Sequence, residues 1–146
     1  MTTTEPTGLE MLRATAALPR EKRPASIGDL FGLRIDRIDE GHVTLSLATR
    51  DDMRNPLGTL HGGVCATLLD SAVGCAIHSA LPAGISYATL EIKVNYIRSV
   101  PADGRRITAT GRTIHVGRTT ATAHGEVHDE DGKLVAHATT TCIIHR

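Results

Sequence analysis

Residues 55–70 read Asn-Pro-Leu-Gly-Thr-Leu-His-Gly-Gly-Val-Cys-Ala-Thr-Leu-Leu-Asp. Gly62 and Gly63 open an apolar run (Val64, Cys65, Ala66, Leu68, Leu69, Ala72, Val73, Cys75, Ala76, Ile77) that predicts one long helix from His61 to about Leu81. A helix apolar nearly all round is expected to be buried by a sheet or a partner. Pro82-Ala-Gly84 ends it. Asp70 is its lone carboxylate, about two turns inside. Burying an unpaired carboxylate is costly, so Asp70 needs a purpose or a hydrogen-bond partner. The glycine-rich start supplies oriented N–H groups and the positive end of the helix dipole. Those are the parts of a site that stabilises an oxyanion and delivers a base or nucleophile. Gly62 is the expected donor, through its backbone N–H, and Asp70 the expected base or nucleophile. Leu69 and Val73 are expected to lower the polarity around that carboxylate and raise its pKa. The plainer alternatives are glycines that allow tight packing and an Asp that ties down a loop.

Around this helix the pattern has period two. Leu33–Ile38 and Val43–Leu47 form a hairpin across Glu40-Gly41. Runs at about 86–98, 105–115, 118–128 and 133–144 follow, rich in Thr, Ile, Val and Ala. Asp103-Gly104 and Asp131-Gly132 mark turns, the second a tight-hairpin signal, and Gly117 divides the middle pair. The order β-β-α-β-β-β-β predicts an α+β domain, with the helix against one face of an antiparallel sheet. Residues 1–29 read as an appendage to the domain at 30–146. Gly8–Leu18 forms a short helix, Pro19–Pro24 a charged break, and Ser26 caps a turn over Ile27–Phe31.

The chain has 146 residues, enough for one domain with a full core. Sixteen basic residues balance 16 acidic ones, so no global field draws it to nucleic acid or an anionic membrane. Phe31, Tyr87 and Tyr96 are its only aromatic residues, too few for a base-stacking surface. Cys65, Cys75 and Cys142 are odd in number and lack CxxC spacing. They are expected to be small, buried and reduced in a cytoplasmic protein. Neither a signal peptide in Met-Thr-Thr-Thr-Glu-Pro nor a membrane-spanning run is legible. His115, His124, His128 and His137 have no chelating spacing; 124 and 128 share a strand face about 13 Å apart. Neither a metal nor a cofactor is expected.

Asn55-x-x-Gly-Thr-Leu-His61-Gly62-Gly63 followed by Asp70, with Thr89-Leu-Glu-Ile-Lys-Val-Asn-Tyr96 downstream, resembles the hotdog-fold acyl-CoA thioesterases. The likeness covers about residues 30–145. It is nearest the branch of the phenylacetate-pathway thioesterases and the mammalian thioesterase superfamily member 2 type. The resemblance implies a curved antiparallel sheet wrapped round the helix. It implies a homodimer joined sheet edge to sheet edge, often doubled to a tetramer, with active sites at the dimer interface. It implies that His61 orients the loop, Asn55 sets an amide near the thioester carbonyl or the attacking water, and Thr89 positions that water. Asn55 equally suits an Asx-turn before Pro56, and Thr89 an ordinary strand position. Gly63 is a candidate substrate contact. Val116-Gly117-Arg118-Thr119 falls where the family places pantetheine and nucleotide contacts. Arg118 is therefore the first candidate for the coenzyme phosphates, with Arg98, Arg105 and Arg106 behind it. Exposed solubilising arginines are the alternative.

Gly62 and Asp70 lie about 12 Å apart along the helix. One helix cannot readily present both to the same carbonyl, which favours Gly62 and Asn55 of one subunit meeting Asp70 and Thr89 of the other. The expected reaction is hydrolysis of an acyl- or aryl-CoA thioester. An acyl carrier protein as leaving partner, or a non-catalytic acyl-CoA-binding module, are the alternatives. No G-x-S-x-G elbow supports a serine hydrolase. The His motif of hydratases with this fold is absent.

Overall fold

The period-two segments pair into one six-stranded antiparallel sheet in the order β1-β2-β4-β5-β6-β3. The strands are β1 (Arg34–Asp39), β2 (His42–Ala48), β3 (Ser86–Tyr96), β4 (Arg106–Val116), β5 (Thr120–His128) and β6 (Leu134–His145). The computed structural model describes residues 4–146. Residues 1–3, part of the stretch searched for a signal peptide, lie outside the described residues. The long helix, α3, runs Gly62–Ser79 with His61 as its N-cap. Two shorter helices precede the sheet, α1 (Gly8–Ala17) and α2 (Ile27–Phe31).

Helical periodicity turns Leu68, Leu69, Ala72, Val73, Ala76 and Ile77 of α3 into the concave face of the sheet, where all six are fully buried. There Leu68, Leu69, Ala72 and Ala76 cluster with Leu45 and Leu47 of β2, Ile107 of β4 and Val127 of β5, and Val73 and Ile77 with Ala121 and Ala123 of β5 and Cys142 of β6. The helix sits close because glycine faces it. Gly111 and Gly125 pair across β4 and β5. A Cβ on Gly111 would lie 2.3 Å from the Ala72 carbonyl oxygen. Gly111→Ala must therefore lift the helix, and overpacking of this kind costs about 1–3 kcal/mol. Urea unfolding measures it, and a loss below about 0.5 kcal/mol would contradict the close approach.

β3 is the terminal strand. It pairs with β6 along one edge, and a bulge falls between Thr89 and Glu91. The extra residue, Leu90, resets the alternation. Tyr87 faces α3 before it, and Ile92 and Val94 face the core after it. The period-two reading of 86–98 did not anticipate this switch, because a bulge leaves no signal in a run of β-favouring residues.

Residues 7–31 lie across the outer side of α3. Thr7 and Glu10 form a reciprocal capping box on α1. The Gly8 N–H donates to the Leu81 carbonyl, and a Cβ on Gly8 would strike the His78 carbonyl oxygen. Arg13 donates to the Ile38 carbonyl on β1. Ser26 sits at the N-cap of α2, but its hydroxyl makes no cap bond. Its carbonyl accepts from Asp29 and Leu30 instead, which corrects the expected side-chain cap. Asp131-Gly132 belongs to a five-residue connection rather than a two-residue turn. The Asp129 carboxylate accepts from the Asp131 and Lys133 amides and so substitutes for turn backbone. No helix of the described residues is long and apolar enough to cross a membrane.

Candidate active site

The start of α3 is held from three sides. The His61 N–H donates to the Met53 carbonyl, and the Val64 N–H donates back to the His61 carbonyl. His61 Nδ1 accepts from the Gly63 N–H at 2.8 Å. This engages the Gly63 amide, whereas the Gly62 amide has no acceptor among the described residues. The Tyr96 hydroxyl donates to the Gly62 carbonyl at 2.7 Å. Its ring lies over the glycine, where an added Cβ would be 3.1 Å from Tyr96 Cζ. Tyr96 thereby fixes the peptide that follows Gly62. Tyr96 carried no assigned role in the sequence, because it lies 34 residues from Gly62 and only the fold brings the two together.

Asn55, Leu60, Gly62, Cys65, Tyr96 and Arg98 border a cavity of about 310 Å³. The Asn55 carboxamide oxygen accepts from the Leu57 and Thr59 amides, and its nitrogen donates to the Thr59 hydroxyl at 2.9 Å. Asn55 is thus an Asx-turn residue that shapes the 55–59 loop. One of its two N–H bonds remains beyond the Thr59 contact.

Asp70 lies in a different place. It stands on the outward stripe of α3 and accepts a hydrogen bond from Thr89 at 3.0 Å. It is half-buried and has a hydroxyl partner, so the expected burden of an unpaired buried carboxylate does not arise. Leu69 and Val73 do not surround it. Leu69 lies about 100° and Val73 about 60° round the helix from Asp70, and both point at Gly125 on the sheet. Tyr87 is the larger neighbour. Its hydroxyl lies over Gly74, one turn beyond Asp70, and its ring is tilted against His78 with centroids 5.5 Å apart. Burial first, and then nearby groups including Asp70, push the Tyr87 phenol up, so it stays neutral at ordinary pH.

Of the candidates read from sequence, Asn55, Gly62 and Arg98 therefore share one cavity, and Asp70 and Thr89 share another place. His61 and Gly63 form the helix cap between Leu30, Phe31, Arg54 and Val64. Gly117 and the exposed Arg118 lie at the far end of the sheet. The Gly117 N–H donates to the Thr120 carbonyl, and the Arg118 carbonyl accepts from Arg146. That is the Ser86 end of β3, which pairs with His145, whereas Arg98 follows the Tyr96 end. β3 has 11 residues, about 35 Å, so one chain cannot place both arginines on one ligand. Among the described residues no three His, Cys, Asp or Glu side chains are grouped to hold a metal ion.

A family model described as the thioesterase superfamily matches residues 57–136. That span carries Gly62, Asp70, Thr89, Arg98 and Arg118. The chain belongs to the thioesterase superfamily. As in other members, a curved antiparallel sheet wraps one long helix, the hotdog fold of the α+β class. The medium/long-chain acyl-CoA thioesterase YigI of Salmonella typhimurium is 28% identical, with 89% of this chain and 99% of YigI aligned. The 1,4-dihydroxy-2-naphthoyl-CoA hydrolase of Listeria monocytogenes is 26% identical, with 81% and 94% aligned. The solved structure of a point mutant of the phenylacetic acid degradation protein PaaI of Thermus thermophilus superposes with a TM-score of 0.73 at 32% identity, covering 80% of this chain and 96% of that chain. The thioesterase-superfamily match begins at Leu57, after α1, α2 and the first hairpin, so those elements lie outside the matched span.

Proposed function

We propose that this chain hydrolyses acyl-CoA thioesters at a site completed by two copies of itself. The observation that carries this reading is the separation of the Gly62 cavity from the Asp70–Thr89 pair along β3, whose outer edge is unpaired in the single chain. An exposed edge of 11 residues is a ready template for another strand. Leu90, Tyr96 and Ile97, each more than half exposed, lie along or just past it. Antiparallel pairing of two β3 edges, centred between Ile92 and Lys93, sets Thr89 of one copy beside Tyr96 of the other. Asp70 and Arg118 of one copy then approach Gly62 and Arg98 of the second. A C2 pair makes two such sites, and doubling it gives a tetramer.

In that site the Gly62 N–H binds the thioester oxygen, and the two arginines hold the coenzyme phosphates. Thr89 orients a water. Asp70 takes a proton from it while the hydroxide oxygen bonds to the carbonyl carbon. The resulting oxyanion rests on the Gly62 N–H. Its collapse breaks the C–S bond, and the thiolate takes the proton from Asp70. Direct attack by Asp70, giving an acyl-enzyme anhydride that water then opens, uses the same residues. The relatives named for acyl-CoA hydrolysis support this reading. A carboxylate held ready by a hydroxyl is of no use to a passive acyl-CoA binder. The three unpaired thiols fit a reducing compartment such as the cytoplasm.

Thiol release from aryl-CoAs and straight-chain acyl-CoAs, with one acyl carrier protein thioester alongside, tests the reading. At least one CoA ester should turn over with kcat/KM above about 10⁴ M⁻¹s⁻¹. Release from none would contradict it, and release from the carrier-protein ester alone would reassign the leaving group.

A further inference from the structure

A second cavity, of about 370 Å³, opens beside α3 over the β1–β2 edge of the sheet. Its floor is Leu33 and Ile35 of the first hairpin with Leu45 of β2, its roof is Pro24 and Ile27, and its wall on α3 is Ser71 and Cys75. The roof comes from residues that precede the family match. We infer that this cavity receives the hydrocarbon chain of a straight aliphatic acyl group whose thioester lies at Asp70, so that residues 15–29 act as a specificity element. The inference rests on the reading of Asp70 as the catalytic carboxylate.

The composition, surroundings, position and size of the cavity carry it. The exposed surface of the lining is predominantly apolar although Thr15, Arg23, Ser26, Asp29 and Ser71 also border it, and no aromatic ring borders it to receive an aryl group by stacking. The nearby charges are engaged elsewhere: the Arg23 guanidinium donates to the Ala16 and Leu18 carbonyls, and Asp29 lies 3.9 Å from Arg20. The cavity is close to the proposed chemistry. Ser71 stands about 100° round the helix from Asp70, and the Asp70 charge acts on Cys75, whose thiol burial pushes up to about 11. Between them the α3 surface is kept low by Thr67, whose hydroxyl folds back to the Gly63 carbonyl at 2.9 Å. Ile27, half exposed, stands at the outer mouth. At about 30 Å³ for each group the size of a water, the volume suits a chain of roughly ten carbons.

The test compares wild type, Cys75→Phe, which fills the wall, and Ile27→Trp, which crowds the roof. Chain length is varied from acetyl- to hexadecanoyl-CoA. Binding of the non-hydrolysable thioethers butyl-CoA and decyl-CoA is measured by calorimetry. In wild type, kcat/KM and thioether affinity should rise up to about fourfold per methylene to near ten carbons, then level. The ratio of decanoyl-CoA to acetyl-CoA efficiency should fall at least tenfold in one variant or both. A ratio unchanged in both, or no gain beyond four carbons in wild type, overturns the inference and leaves the thioesterase reading standing. Chain-dependent thioether binding that either variant erases, with no thiol release from any ester, overturns hydrolysis and keeps the cavity assignment.

Discussion

Asp70→Asn is expected to lower kcat on the best acyl-CoA by about 10³-fold, within the 10²–10⁴ range for a positioned general base. The substitution is nearly isosteric. The side-chain oxygen can still accept from the Thr89 hydroxyl, so the outward stripe of α3 keeps its geometry. What is lost is the ability to take a proton from water or to attack a carbonyl. KM should change little, because the residue acts on the reacting atoms rather than on the coenzyme. Stability should move by less than about 0.5 kcal/mol, since the side chain is half-buried and makes one hydrogen bond. Steady-state kinetics beside a melting curve checks all three. A variant that keeps more than about a tenth of the wild-type kcat would remove Asp70 from the mechanism.

Gly62→Pro is expected to lower kcat by about 10²–10³-fold, the range for loss of one oxyanion-hole donor. A backbone N–H is usually beyond the reach of mutagenesis, but here the chain permits its deletion. Gly62 is the first residue of α3, the position proline favours in a helix. The preceding His61 already has φ −63° and ψ 134°, the conformation that a residue before proline requires. The added ring meets Tyr96 at about the 3.1 Å found for a Cβ, so Tyr96 must give by a few tenths of an ångström. Gly62→Ala brings the same Cβ and keeps the N–H, and it serves as the matched control. Proline should therefore lose far more kcat than alanine. Equal losses would assign the effect to crowding of Tyr96 and dismiss the oxyanion role.

The helix and its sheet were legible because their signals are local. The length of the apolar run after two glycines favours a buried helix over a strand, and Thr-rich alternating runs with Gly turns favour strands. The role of Asp70's surroundings was not legible. Leu69 and Val73 lie within one helical turn of it but turn their side chains to Gly125 on the sheet, while Tyr87 and Thr89 reach it from a strand that the sequence cannot place. The Leu90 bulge decides that Thr89 faces the helix, and nothing in Thr89-Leu-Glu marks it. Arg118 ranked above Arg98 by motif. The fold separates them by the length of β3, and in the proposed pair of copies Arg118 of one chain would approach Arg98 of the other.

The central claim is that each active site takes Gly62 from one chain and Asp70 from the other. Coexpression of Asp70→Asn with Gly62→Pro, on separately tagged chains, tests it most directly. Each variant alone is nearly inactive. In the mixed dimer one site inherits both intact residues and the other inherits neither. Statistical pairing then predicts recovery to about a quarter of the wild-type rate, and purified heterodimers should reach about half. Heterodimers no more active than the two parents would contradict the shared site and return Gly62 and Asp70 to a single chain.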